Sequence, residues 1–409
     1  MFRKILLAKT PHRVSSETFD TWQSITVGIY LAIVGYGVLV GIPVISTAWV
    51  SQIGFTEVEV GRLASADLGG LSIGSIFAAF LAPRFNRRWI VVCAIALTVI
   101  ANILCMYTQT YDSVLFLRLL AGFGSGIYTA VSIATIGASS KPARNMNIML
   151  FVFAFSQAFE LQVLPMFSMN GIYGVFVVAN LIGILMLKWL PEYPPEERET
   201  AVEEGVDDYH ESVEAVRARK IAPWLCLAAI AFTYVNIGAY WTYIELAGIE
   251  SPTADNEWVG SVLVWASFLS IVGCLVATVI SDRFGLARPM IVTLVIHALV
   301  VGMLASGINN TNIVISLFSF NFLWIFIDVY QTATIANVDK SGRFTSLIPA
   351  SQGFGQIVGP NIAASFLAVG GGYGDVFIMC AGASMMAFLV YSYMYVRLKR
   401  AIPVLADAS

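Results

Sequence analysis

Twelve mainly apolar runs of about twenty residues follow one another along this chain, separated by short polar segments. They fall at about 22–50, 58–82, 89–108, 113–138, 146–168, 172–190, 221–248, 257–281, 288–307, 312–335, 344–369 and 374–397. A helix gains about 1.5 Å per residue, so about twenty residues cross the ~30 Å hydrocarbon core of a bilayer. No ten-residue stretches of period-two alternation recur, which excludes a β-barrel. The chain therefore reads as an all-α membrane protein with 12 transmembrane helices, its partner being the lipid bilayer.

Composition supports this. Of 409 residues, 58% are hydrophobic and 12% charged, where a soluble domain carries about 25% charged residues. That excludes a cytosolic enzyme, a secreted disulfide scaffold and a disordered chain. The net charge of −3 and the lack of a long Lys/Arg block give no nucleic-acid partner. Cys93, Cys105, Cys226, Cys274 and Cys380 each lie in an apolar run, with no zinc-ligand spacing. No metal or cofactor is expected. The N-terminal residues lack a small-residue cleavage site after a short apolar core, so the first run is read as an anchor rather than a removable signal.

Placing the N-terminus inside puts 21 of the 23 Lys and Arg on one side, and the other two, Arg62 and Arg118, within or at the edge of runs. The opposite loops carry Glu57, Glu59, Asp112, Asp255, Glu257 and Asp375. The positive-inside rule then predicts both termini in the cytoplasm and the chain in the cytoplasmic (inner) membrane.

The longest hydrophilic stretch, 191–220, divides the chain into an N-terminal bundle (1–190), a cytoplasmic linker (191–220) and a C-terminal bundle (221–409). The halves are related in sequence. Ser156-Gln157, Phe159, Val163 and Pro165 reappear as Ser351-Gln352, Phe354, Val358 and Pro360, at an offset of 195. Gly74, Arg84-Phe85 and Ala134-Thr135-Ile136 reappear as Gly273, Arg283-Phe284 and Ala333-Thr334-Ile335, at an offset of 199. Three places in register indicate a duplicated six-helix unit, hence two pseudo-symmetric bundles.

These residues carry a resemblance to the major facilitator superfamily. Gly273, Asp282-Arg283-Phe284-Gly285 and Arg288 resemble the family's cytoplasmic loop signature. Arg118, Gly122, Gly124 and Gly126 resemble its fourth-helix motif, and Pro191-Glu192 fits the end of span 6. The N-half loop departs from the pattern, with Pro83 and Asn86 where Asp and Gly are usual. Span 5 lacks the family's antiporter motif, having Glu160 and Leu164 where span 11 has Gly355 and Gly359-Pro360.

The resemblance implies a transporter, not an enzyme: a secondary active carrier that moves a small organic solute by alternating access, with protons as the coupling ion. It implies a cytoplasmic latch formed by Arg84, Arg88, Asp282, Arg283, Gly285 and Arg288. A monomer is expected. Export of hydrophobic drugs or lipids through the same fold is the alternative. A sensor or enzyme is disfavoured, since no nucleophile–base set, metal cluster or phosphate loop is present.

Charges inside the bilayer cost at least about 2.5–3.5 kcal/mol and are kept for a reason. Asp67, Arg118 and Glu160 lie at similar depth in the N-half. Either they form a structural ion-pair group or they serve as a proton or substrate site. Arg118, Gly122, Ser125, Thr129 and Ser132 share one helix face, read as cavity-lining. Asn321, Trp324, Asp328 and Gln331 form a second such face. Substrate-binding candidates are Arg118, Gln157, Glu160, Tyr234, Trp241, Asn321, Trp324 and Gln352. Proton-coupling candidates are Asp67, Glu160 and Asp328. An organic anion would pair with Arg118, but one Arg against several acids also suits a cation, so the sign stays open.

Overall fold

The computed structural model describes residues 13–195, 213–338, 344 and 347–402. Thirteen α-helices occupy the twelve predicted spans among these residues: α1 (Trp22–Ala48), α2 (Glu57–Leu81), α3 (Arg87–Tyr107), α4 (Tyr111–Gly137), α5 (Pro142–Val163), α6 (Met169–Met186), α7 (Val213–Glu250), α8 (Asn256–Ser267), α9 (Leu269–Phe284), α10 (Ala287–Gly302), α11 (Asn310–Val338), α12 (Ile348–Ala368) and α13 (Tyr373–Ala401). Span 8 is split at Phe268 into α8 and α9. Among the described residues, eleven spans are long and apolar enough to cross a membrane by length and composition. The twelfth, α12, is diluted by Ser351, Gln352, Gln356 and Asn361. Most of the predicted linker, 196–212, lies outside the described residues, and its basic end starts α7.

Helix ends follow polar side chains rather than the edges of apolar runs. Thr56 and Glu59 form a reciprocal cap at the start of α2, so α2 begins at Glu57. Asn86, one of the departures from the family signature, caps α3 by accepting from the Arg88 amide over 2.9 Å. Its counterpart at the 199 offset, Gly285, ends α9 with φ +69°, a left-handed turn that glycine adopts without steric cost. The two loops thus solve the same corner differently, one by a side-chain cap and one by backbone freedom.

Within each half, small residues bring helices together. A Cβ at Gly74 would overlap the Phe123 carbonyl of α4, and one at Gly273 would overlap the Phe322 carbonyl of α11. Both the glycine and its partner recur at the same offset, which gives the repeat a packing reason. With no hydrophobic drive between helices in lipid, such close backbone approach is what holds them. Between the halves, α2 packs along α12, α5 against α8, and α1 against α7.

Candidate functional site

A cavity of about 190 Å³ lies between the halves. Its wall is built from Tyr36 and Leu39 of α1, Ser72 and Ser75 of α2, Met149 and Phe153 of α5, Tyr234 of α7, Trp324 and Asp328 of α11, and Gln352 and Gln356 of α12. Ser72 and Ser75 of α2, Met149 of α5, and Gln352 and Gln356 of α12 fall in the half nearer the face where α1 begins and α13 ends.

Among the described residues, Asp328 is the one charged side chain in that wall. Tyr234 donates its hydroxyl to Asp328 Oδ1 over 2.9 Å, and Gln352 Nε2 donates to the same oxygen over 2.8 Å. Three helices, α7, α11 and α12, therefore meet on one carboxylate. The wall mixes aromatic and aliphatic side chains with a few hydroxyls and amides around that carboxylate, the usual build of a small-molecule site.

Toward the opposite face the halves are joined by hydrogen bonds. Trp241 Nε1 donates to the Leu39 carbonyl over 3.1 Å. That carbonyl is freed by Pro43 four residues on, which has no N–H to offer it. Tyr243 donates its hydroxyl to the Glu57 carbonyl over 3.0 Å. Gln157 Nε2 donates to Asn321 Oδ1 over 3.3 Å, both side chains being buried.

The sequence-derived candidates thus separate. Tyr234, Trp324, Gln352 and Asp328 line the cavity. Gln157 and Asn321 bond each other behind the wall. Trp241 packs on Trp324, ring centroids 6.0 Å apart, and bonds α1. Glu160 sits beside Gly37 and Gly41 of α1; it accepts from Ser156 Oγ over 3.2 Å, and its Oε2 is unpartnered among the described residues.

Arg118 is not in the wall. Its Nε lies 2.9 Å from Asp67 Oδ2, the two side chains 2% and 3% exposed. Its Nη1 donates to Asn102 Oδ1 over 3.0 Å, and its guanidinium lies 5.4 Å from the Tyr173 ring. Glu160 does not join them, so the expected three-charge group is a pair. The α4 face read as cavity-lining is a packing face. Gly122 meets the α2 backbone, and Ser125, Thr129 and Ser132 bond carbonyls of their own helix. The helix is right but the direction was not, because α1 and α2 cover that stripe. Gly238 lies within α7 and packs on Gln356 and Pro360. Tyr36 and Phe153 line the cavity without having stood out in the sequence, since aromatics in apolar helices look like core.

Two six-helix halves around a central recess are a build that other proteins share. A sequence profile of the Major Facilitator Superfamily matches residues 25–360. The chain belongs to the Major Facilitator Superfamily. Among relatives it is 21% identical to "Putative transporter AraJ" of Escherichia coli (strain K12) over 366 residues, covering 86% of this chain and 90% of that protein. It is 24% identical over 285 residues to "Probable 4-methylmuconolactone transporter" of Cupriavidus pinatubonensis, covering 64% of this chain and 61% of that one. The crystal structure of the nucleoside transporter NupG aligns with a TM-score of 0.68 at 12% identity, covering 92% of this chain and 99% of that one. A bacterial homologue of human drug peptide transporters aligns at 0.69 and 12% identity, covering 95% of this chain and 100% of that one. The fold of this superfamily member is therefore that of a transporter, and it is not an enzyme.

In this superfamily chain the loop charges sit as follows. Arg88 holds the segment after α6, with Nη1 2.8 Å from Glu192 Oε1 and Nε donating to the Leu190 carbonyl over 2.7 Å. Arg84, in the turn after α2, donates to the Phe80 carbonyl of α2 over 3.4 Å. Both sets of bonds stay within the N-half. Arg288 is exposed in the first turn of α10, and the side chains of Asp282 and Arg283 lie outside the described residues.

Proposed function

We propose that this protein is a secondary active transporter that moves a small organic solute across the cytoplasmic membrane by alternating access, coupled to protons, with both termini in the cytoplasm. The observation that carries this reading is the Asp328–Tyr234–Gln352 cluster, a lone carboxylate held by three C-half helices in a cavity whose other wall is the N-half. Two parallel repeats around a central site are the build of a rocking carrier. The bond of Trp241 to Leu39 lies at the edge of the cavity and that of Tyr243 to Glu57 beyond it on the far side, which supports a form closed there. The latch residues Arg84, Arg88, Asp282, Arg283, Gly285 and Arg288 would then engage in the alternative form.

The wall supplies one acid and no Lys or Arg among the described residues. That favours a solute offering an amine or several hydroxyl or amide donors. An organic anion would have Arg118 as its anchor only if Asp67 released it. Asp328 is the foremost coupling candidate because a proton and a solute would compete for the same oxygens. Glu160 of α5, facing α1, and Asp67 of α2, paired with α4, stand outside that wall. Export of hydrophobic drugs or lipids is the second reading. It is favoured by an apolar recess between α5 and α9 that shares Leu150, Phe153 and Ile325 with the central cavity.

The test is a thermal-shift screen of the purified protein against amines, nucleosides, sugars, organic acids and lipophilic cations. A ligand at 100 times its dissociation constant adds about 2.7 kcal/mol. A hit is then taken into proteoliposomes with and without a pH gradient. Stabilisation that Asp328→Asn abolishes, with uptake driven by the gradient, supports the reading. An organic acid whose effect depends on Arg118 and not on Asp328 overturns the site. Uptake indifferent to the gradient overturns the coupling.

A further inference from the structure

A second cavity, of about 490 Å³, lies between α5, α9 and α11. Its wall is formed chiefly by Ile148, Phe151, Ile271, Leu275 and Val279. Phe151, Leu275 and Val279 are all more than half exposed, so the recess opens sideways, toward what surrounds the helices. In a membrane that surrounding phase is lipid.

One end of the recess is different. Arg144, exposed and in the first turn of α5, lines it, with Asn147 one turn deeper. Helix α5 starts at the face where α1 begins and α13 ends, so Arg144 stands at the level where lipid headgroups meet the hydrocarbon. A guanidinium there presents a fork of donors that matches phosphate geometry. The recess is therefore an apolar sleeve with a cation at its polar end.

We infer that this recess binds one acyl chain of an anionic phospholipid, with the lipid phosphate on Arg144. An apolar body and a terminal anion are what the wall and the rim complement. The inner ends of Leu150, Phe153 and Ile325 belong to both this recess and the central cavity. A lipid seated here touches the back of the solute wall. The inference depends only on the chain lying in a bilayer, not on the transported solute.

The test is native mass spectrometry of the full-length protein in detergent, offered equal amounts of phosphatidylglycerol and of diacylglycerol, which has the same acyl chains and no phosphate. One phosphatidylglycerol should be retained in preference by about tenfold, as for a charge-assisted hydrogen bond. Arg144→Gln should bring the two lipids to parity, and Arg144→Lys should keep part of the preference. Ile271→Trp, which fills the sleeve and leaves the charge, should lower retention of both. Equal retention by the unaltered protein would mean ordinary lipid contact and overturn the site. So would a preference that survives Arg144→Gln, or retention unmoved by Ile271→Trp. Monodispersity on size exclusion separates a variant that misfolds from one that has lost the lipid.

Discussion

Arg118 of α4 and Asp67 of α2 form a buried ion pair at 2.9 Å, enclosed by Asn102 and Tyr173. Taking two charges out of water costs about what their attraction returns, but removing one partner strands the other. Asp67→Ala should therefore destabilise the protein by about 3–5 kcal/mol. The apolar double replacement Asp67→Leu with Arg118→Met should recover much of that loss. Unfolding followed by tryptophan fluorescence in detergent checks both. If the double variant is stable and still transports, the pair is a packing device. If it is stable and inactive, the pair takes part in transport.

Asp328 is held by two donors, so its replacement should act on binding more than on folding. Asp328→Asn should remove ligand-induced stabilisation while the unliganded protein remains monodisperse. Tyr234→Phe keeps the ring and deletes one hydrogen bond, worth about 1 kcal/mol. It should weaken solute binding roughly fivefold. Isothermal titration with the solute from the screen reads both.

The hydroxyl of Tyr243 links α7 to the first carbonyl of α2 across the halves. Tyr243→Phe should shift the population toward the form open on that face by about fivefold, the equivalent of about 1 kcal/mol. Spin labels at Ser51→Cys and Glu257→Cys, both exposed on that face, would report a larger share of long distances. An unchanged distribution would assign the closure to packing alone.

Trp241 and Pro43 should be energetically coupled although they never touch as donor and acceptor. Trp241→Phe leaves the Leu39 carbonyl without its indole partner, at a cost of about 1–3 kcal/mol. In a Pro43→Ala background the helix can supply its own amide, so the same substitution should cost less. A double-mutant cycle on melting temperature measures the difference. Strict additivity would show that the carbonyl finds another partner.

The spans were legible because each apolar run must be long enough to cross lipid, and α12, the most polar of them, was still marked by its likeness to α5. The acidic cluster was legible too. Asp328 is the one acid in its apolar run and shares a helix face with Asn321, Trp324 and Gln331. Arg118 shows where such reasoning stops. Depth along a helix follows from counting residues, but the direction a side chain faces depends on which neighbour covers it. Asp67 could reach Arg118 because Gly122 lets α2 and α4 touch, and Glu160 at the same depth was left facing α1. Tyr36 and Phe153 gave no signal, since an aromatic beside a cavity and one inside a core are the same letter in an apolar run.

The Leu39 carbonyl sets a condition on how fast such a carrier could turn over. In the form described it is satisfied by an indole from the other half, and the amide a helix would ordinarily offer it, four residues on, is missing in Pro43. When the halves part on this side, the oxygen must be met by a water molecule or pass through a moment with nothing. The second course is costly in a medium that offers no donors. The separation therefore has to draw solvent in as it begins. The step between the two forms would be a wetting event, paced by the arrival of water as much as by the swing of the helices.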